Sequence, residues 1–489
     1  MTEFSKAPGQ RKPIRTKVLK FLRLINVVPV LLFKLAGDQA VYYVEDEMRH
    51  ERYCRQSLNF TEEECSSMHD SNFTYVKNAA LEMDEEFIFQ SRLISVPVCL
   101  LVVAFAASWS DRHGRLWLLR LCLAGHILAA FFCILFIFMK EWTVQVLLIS
   151  TVMRSIIGGH SFFIMLAFCI MVDKTDLEIR TLRLGLLTNM VVLGQAIGFV
   201  LGMFFEALGL GHFWTLVLGL CLYTISSIFM KVSLIESPWQ FEDHCPPRCQ
   251  NPFLDFFHPR NILDLVVVVI RPRKGEDRLH LQMILWVTFF IGLSPPHLMK
   301  KWIMGSLHWG LIAYNATSAV TMVSTQMTTM VVLRLTRNNP IPDCLLTTLG
   351  EGMTVIQCLL LAVVTRPELS FLVFIAALFA LSHNLANVGV RAASSKICEA
   401  GEIGRVFGIM ALQEIIMSWP DYFIFQKMWE ASKDILPTAQ HLLSAPFGAL
   451  NALVMLAVYM SMKKVNKLIR LDMYDKKGHD VQELETLNK

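Results

Sequence analysis

Apolar residues in this chain gather in long unbroken runs separated by short polar stretches. Such a run shows no preferred wet face, so its length is what can be read. A bilayer core about 30 Å thick requires roughly 20 residues at a rise of 1.5 Å each. Twelve runs approach or exceed that length, at 24–44, 87–109, 116–138, 143–172, 184–206, 212–234, 281–303, 309–333, 342–364, 368–390, 404–426 and 439–462. They predict an all-α membrane protein of twelve transmembrane helices, because a backbone crossing lipid must satisfy its own polar groups. The first run is interrupted by Lys34 and Asp38, the seventh by Pro295-Pro296.

Composition supports a second solvent. Of 489 residues, 54% are hydrophobic and 18% charged, against about 25% charged in soluble domains. The net charge of +4 is uninformative, but its placement is not. Basic residues precede the first run (Arg11, Lys12, Arg15, Lys17, Lys20, Arg23) and recur after the second, fourth, sixth, eighth, tenth and twelfth. Every second loop is therefore basic, which assigns both termini to the cytoplasm. The basic start lacks an apolar core with a cleavage site, so no removable signal peptide is expected. The predicted organisation is a tail at 1–23, six helices over 24–234, a cytoplasmic central loop at 235–280, six helices over 281–462 and a cytoplasmic tail at 463–489. Within the central loop, Pro246-Pro247 and Asn251-Pro252 are turn signals. The apolar stretch 261–270 is too short to cross and is expected at the membrane interface. Cys245 and Cys249 are read as free thiols, with metal binding beside His244 or palmitoylation as alternatives.

The outer loop at 45–86 is polar and acidic. It holds the acceptor sequences Asn59-Phe60-Thr61 and Asn72-Phe73-Thr74, together with Cys54 and Cys65. An oxidising compartment lets such a cysteine pair bridge. Glycosylation at Asn59 and Asn72 therefore fits the cell surface or an endolysosomal membrane. Asn315-Ala316-Thr317 lies inside a run and is expected to stay unmodified.

Between the second and third runs stands Ser110-Asp111-Arg112-His113-Gly114-Arg115. So short a turn makes its helices antiparallel neighbours, and it sets a carboxylate and two guanidinium groups at the membrane edge. Arg334-x-x-Arg337 after the eighth run echoes Arg112-x-x-Arg115, which supports two related six-helix halves, a recurrent transporter plan. The core Asp111-Arg112-x-Gly114-Arg115 resembles the loop motif of the major facilitator superfamily, with Ala107 in place of its first glycine and Leu116 in place of its last basic residue. More narrowly, the chain resembles solute carrier family 46, the group that contains the proton-coupled folate transporter. That likeness rests on the cysteine-bearing first outer loop, Arg180-Thr181-Leu182-Arg183, His308-Trp309, Arg391-Ala-Ala-Ser-Ser-Lys396 and Glu402-Ile-Gly404-Arg-Val-Phe407. The resemblance implies a functional role for Arg391. It also implies that three ionisable positions of the folate carrier are Thr188, Gly159 and Ile291 here, which argues against folate as substrate.

Ionisable groups within spans cost about 2.5–3.5 kcal/mol on insertion scales and so normally face a wet cavity or one another. Lys34 and Asp38, four apart on one helical face, form either a substrate- or proton-sensitive pair lining a cavity or a structural ion pair. Arg154 is read as a cavity residue, where a fixed guanidinium suits an anionic substrate or a carboxylate partner, with an internal salt bridge as the alternative. It stands four residues before Gly158, resembling the superfamily's Arg-x-x-x-Gly pattern. His160, His383 and Glu414 complete the candidates for substrate binding or coupling. Asp111, Arg112, Gly114 and Arg115 are assigned to a cytoplasmic gate. No nucleotide loop, zinc spacing or nucleophile elbow is present, so no enzyme, metal site or cofactor is expected. The sequence reads as a monomeric secondary transporter of a small organic, anionic solute, working by alternating access with or without proton coupling and binding no nucleic acid. The competing reading is a transporter-derived receptor without transport activity.

Overall fold

A computed structural model of the chain describes residues 27–58, 60–61, 64–65, 74–234, 251–291, 299, 302–303, 306–307, 309, 311–336, 341–399 and 401–487. Its helices are α1 Val28–Arg52, α2 Thr74–His113, α3 Leu116–Phe138, α4 Leu148–Ser155, α5 Gly159–Asp173, α6 Arg180–Ala207, α7 Gly211–Ser233, α8 Pro252–Phe256, α9 Arg260–Ile270, α10 Asp277–Ile291, α11 Leu311–Leu335, α12 Asp343–Val363, α13 Phe371–Ala380, α14 His383–Ile397, α15 Ile403–Ser432 and α16 Ala439–Leu487. No strand occurs among the described residues. Helices α1–α7 form one half and α10–α16 the other, with α8 and α9 between them in sequence. In the first half α1 packs on α6 and α7; in the second α12 packs on α14 and α16. The halves meet where α2 and α5 lie against α15 and where α6 lies against α11 and α14.

Helix α3 shows why continuous runs cross lipid. Leu118, Leu119, Cys122, Leu123, Ala129, Ala130 and Cys133 are buried against the protein, while Trp117, Leu121, Leu128, Phe131, Leu135 and Phe138 are exposed on the other side. A helix apolar on every face is one that needs protein on one flank and hydrocarbon on the other. Among the described residues, eight helices are long and apolar enough to cross a membrane. The runs at 24–44, 281–303, 309–333 and 404–426 fall on α1, α10, α11 and α15, which are not among those eight. Of these, α1, α11 and α15 carry the polar groups Lys34, Asp38, Thr325, Gln326, Arg405 and Glu414.

The structure corrects several boundaries. The stretch 45–86 is not a continuous loop, because α1 runs on to Arg52 and α2 begins at Thr74. Glu45 and Arg49 are buried there, and the polar residues that suggested a loop are instead the paired end of a helix. The fourth run is two helices. Gly158 and Gly159 have φ of 90° and 69°, a left-handed conformation that breaks a helix and costs glycine little. The Ile157 carbonyl freed by the break accepts from Cys122 Sγ at 3.0 Å. The tenth run is likewise divided, between α13 and α14, and the last helix continues past 462 to Leu487. The expected central loop contains α8 and α9. On α9, Leu263, Val266, Val267 and Ile270 are exposed while Asn261, Leu265 and Val268 are buried, an amphipathic pattern. Cys54 and Cys65 form a disulfide with Cα atoms 5.8 Å apart. Asn59, Asn72, His244, Cys245 and Cys249 lie outside the described residues.

Helices α2 and α15 touch through small residues. A Cβ placed on Gly408 would stand 2.2 Å from Ala107 Cβ, so the space that the family motif opens at position 107 is opened here from the opposite helix. Gly408→Ala is expected to destabilise the protein by about 1–3 kcal/mol, the cost of overpacking a tight contact. Adding Ala107→Gly should restore the melting temperature, measured by intrinsic fluorescence in detergent. An unchanged melting temperature for the single variant would show that these helices are not in contact.

Candidate functional site

Helix α1 carries Lys34, Asp38, Tyr42, Glu45 and Arg49 at spacings of four, four, three and four. Those intervals place all five on one face of a helix, and each is met by a neighbouring element. Lys34 Nζ donates to Asp38 Oδ2 at 2.7 Å, and both side chains are buried. Tyr223 Oη of α7 donates to Asp38 Oδ1 at 2.9 Å. His160 Nδ1 of α5 lies 3.1 Å from Asp38 Oδ2, and His126 Nε2 of α3 lies 3.9 Å from Oδ1. Lys34 also sits over the Phe163 ring at 4.7 Å. The ion pair is thus enclosed rather than cavity-lining. His160, with 30% of its side chain exposed, is its link to the cavity next to it.

That cavity has a volume of about 620 Å³ and is walled by Tyr42, Glu45, Arg49, Arg92, Arg154 and His160 among others. Arg154, delivered by the short helix before the glycine break, donates through Nη2 to both Glu45 oxygens at 2.8 Å. Ser150 Oγ also donates to Glu45, and the Arg154 guanidinium stacks 4.8 Å over the Tyr42 ring. Arg49 pairs with Asp84 of α2, its Nε 2.6 Å from Oδ1. Arg92 donates to the Ser418 carbonyl of α15 at 2.9 Å, so this wall reaches the second half. Among the described residues that line the cavity are three arginines, Arg49, Arg92 and Arg154, and one acidic residue, Glu45. A guanidinium has five donors, and Arg154 directs Nη2 alone at Glu45 and Ser150.

At the end bearing the Ser110–Arg115 turn, Asp111 closes the two halves together. Its carboxylate accepts from the Gly404 and Arg405 backbone N–H groups at 2.8 and 3.1 Å, and from Arg405 Nε at 3.3 Å. Those amides belong to the first turn of α15, where backbone N–H groups have no intrahelical acceptor and the helix dipole favours an anion. A Cβ on Gly404 would meet Asp111 Oδ1 at 2.4 Å, so the seat needs glycine. Arg115 braces the carboxylate from behind, 3.0 Å from Asp111 and 3.0 Å from Asp173 of α5. Gly114, at φ 91°, makes the turn. Arg112 is turned to the central segment, where it pairs with Asp255 and Asp264 at 3.5 and 3.4 Å, and His113 joins it at Asp255. From the same segment, Arg271 and Arg273 reach Glu402 at 2.8 and 3.0 Å. Arg271 also hydrogen-bonds Glu399 and holds that carboxyl below the usual carboxylate range.

The other candidates separate. Arg391 pairs with Glu414 and lies 4.8 Å over the ring of Phe168, a residue of the first half. His383 stands apart, its Nδ1 3.3 Å from Thr354 Oγ1, in a different cavity. Thr188 spends its hydroxyl on the Leu184 carbonyl at 3.0 Å. Sequence reasoning missed Glu45, Tyr42 and Tyr223. The first two were legible as the continuation of the Lys34–Asp38 spacing; Tyr223 carries no such signal.

The family model of the Major Facilitator Superfamily matches residues 93–414. A fruit-fly (Drosophila melanogaster) protein named "Probable peptidoglycan muropeptide transporter SLC46" is 20% identical over 327 residues, 63% of this chain and 60% of its own length. The chain thus spans less than two thirds of that relative. The crystal structure of the human organic anion transporter MFSD10 (TETRAN) superposes with a TM-score of 0.67 at 13% identity, over 91% of this chain and 100% of that one. A bacterial homologue of the iron transporter ferroportin in its outward-facing state gives 0.61 at 12% identity, covering 90% and 99%. These structural likenesses show the fold.

Removing one partner of a buried ion pair leaves the other uncompensated, at about 3–5 kcal/mol. Glu45→Gln and Arg154→Gln are each expected to lower the yield of folded protein and its melting temperature. The double variant, which buries two neutral amides, should recover most of that loss in size-exclusion profiles and thermal melts. Additive losses would show that the pair is not coupled.

Proposed function

The chain belongs to the Major Facilitator Superfamily, and from that premise we propose that it carries a small organic anion across a membrane by alternating access. The observation that carries the reading is the cavity wall with three guanidinium groups and one carboxylate. A carboxylate entering it would be met by charge-assisted hydrogen bonds, which are roughly twice as strong as neutral ones. The fly relative's name points the same way, since muropeptides join carboxylate-bearing peptides to amino sugars. The Asp111 contact with α15 supports the gate: it closes the basic-turn end, which the distribution of charge assigns to the cytoplasm, and rocking would release it. The contact of His160, a cavity-lining residue, with Asp38 supports proton coupling, because a proton taken up there would sit beside the anion. The disulfide supports an outer face at the opposite end, at the cell surface or in an endolysosomal membrane, with the termini on the inner side.

An uptake screen at pH 5.5 and 7.4 with folates, peptidoglycan fragments and other organic anions tests this reading. We expect uptake of carboxylate-bearing solutes, higher at pH 5.5, with the pH dependence lost in Asp38→Asn. Asp111→Asn removes hydrogen bonds to a charged group worth about 1.5–3 kcal/mol, so uptake should fall by about tenfold or more. No uptake at either pH would favour a receptor that moves no solute.

A further inference from the structure

Glu351 of α12 is a buried carboxyl group without a countercharge. The residue is 3% exposed, and it lines neither the Arg154 cavity nor the cavity beside His383. Asn451 of α16, which is fully buried, faces it and donates Nδ2 to Glu351 Oε2 at 3.2 Å. The backbone of α16 covers the same atom. A Cβ on Gly448, one turn before Asn451, would stand 3.7 Å from Oε2 and 3.0 Å from Val355 Cγ2.

The surrounding elements supply no positive charge. Helix α12 packs on α13, α14 and α16. Its other titratable groups are Asp343, Cys344 and Cys358, and α13 has none. On α14, His383 is hydrogen-bonded to Thr354, Arg391 is paired with Glu414, and Lys396 with Asp343. Among the described side chains of α16, His441 contacts Gln440, and Tyr459 stands more than two turns beyond Asn451. Lys463 and Lys464 are exposed, the nearer about 18 Å from Asn451 along the axis at 1.5 Å per residue. No Lys, Arg or His among the described residues pairs with Glu351.

Two deficits thus coincide. A carboxylate here would exchange its hydration for a single amide N–H, and a buried charge without a partner neutralises instead. Opposite it, Asn451 Oδ1 is buried and accepts no hydrogen bond among the described residues, an orphan of a kind that folded proteins rarely leave. Whichever way the amide is turned, an ionised carboxyl offers it no donor. One proton removes both deficits. A protonated carboxyl has an O–H donor and keeps an acceptor, so it can donate to Oδ1 while accepting from Nδ2. The adjustment needs only the terminal torsions of the two side chains, which are broad.

We propose that Glu351 is a proton-binding site of the second half. It is held as the neutral acid at neutral pH, in a reciprocal hydrogen-bonded pair with Asn451 that clasps α12 to α16. The proposal does not rest on the carrier reading, and the site is separate from the Asp38–His160 contact of the first half.

Infrared difference spectroscopy on the full chain in nanodiscs at pH 7.4 tests it. Glu351→Gln keeps a donor and an acceptor in nearly the same shape, so it should fold and melt as the wild type does. Wild type minus this variant should leave a carbonyl-stretch band of a protonated carboxyl group and no carboxylate band. In Asn451→Leu the protonated band should persist but move to higher frequency, because its hydrogen bond to Oδ1 is gone. A carboxylate band in the first difference spectrum overturns the proposal, and a protonated band that Asn451→Leu leaves unshifted overturns the pair. Should Asn451→Leu fail to fold, Glu351→Gln decides the protonation state by itself.

Discussion

An ion surrounded by protein and hydrocarbon must find its partner inside the chain, and that constraint organises the first half of this molecule. A lone charge at mid-depth is disfavoured even on the mildest scales, yet α1 places four ionisable groups, Lys34, Asp38, Glu45 and Arg49, along one face. Each is met from a different direction: Asp38 by Lys34 within the helix and by α3, α5 and α7 around it, Glu45 by α4, Arg49 by α2. The pairings do more than neutralise charge. They fix the rotation of α1, because turning it by one residue, about 100°, would break the contacts these groups make with other helices. The glycine break between α4 and α5 belongs to the same arrangement, since it lets one membrane crossing present Arg154 to Glu45 and His160 to Asp38.

The contact between the halves obeys a different rule, close approach of backbone rather than burial of paired ions. Helices α2 and α15 meet over Ala107 and Gly408, and the proximity brings the α15 N-terminus within reach of Asp111. Besides the two backbone N–H groups and Arg405 of the opposite half, the Asp111 carboxylate has Arg115 of its own half as a partner, so parting the halves would not leave it without a countercharge. That distinguishes it from the Glu45–Arg154 pair, whose separation would strand both members. The central segment adds a tie at the same end: Arg112 and His113 hold α8 and α9 to the first half, Arg271 and Arg273 to the second.

The sequence made the membrane crossings legible because lipid imposes a length and a polarity that few other environments impose. It made Lys34, Asp38, Arg154 and Asp111 legible for the same reason, as charges out of place. It failed where the partner lay beyond an assumed boundary. Glu45 and Arg49 look like the start of a polar loop, and only the fold shows the helix carrying them back against α4 and α2. Arg112 was indistinguishable from Arg115 by sequence, because the choice between Asp173 and Asp255 is made by the direction of a helix end. The cavity beside His383 was hidden for the opposite reason: threonine and glutamine within an apolar run raise no alarm, and their meaning emerges when several helices bring them to one hollow.

Structural pairing and solute recognition place different demands on the same arginine. A guanidinium that is both a structural partner and a ligand for solute must keep donors in reserve. The geometry of Arg154 is compatible with this condition: Nη2 serves Glu45 and Ser150, and the guanidinium lies over the Tyr42 ring. Under the proposed reading, an anion would be recognised where the fold already pairs buried charges along α1.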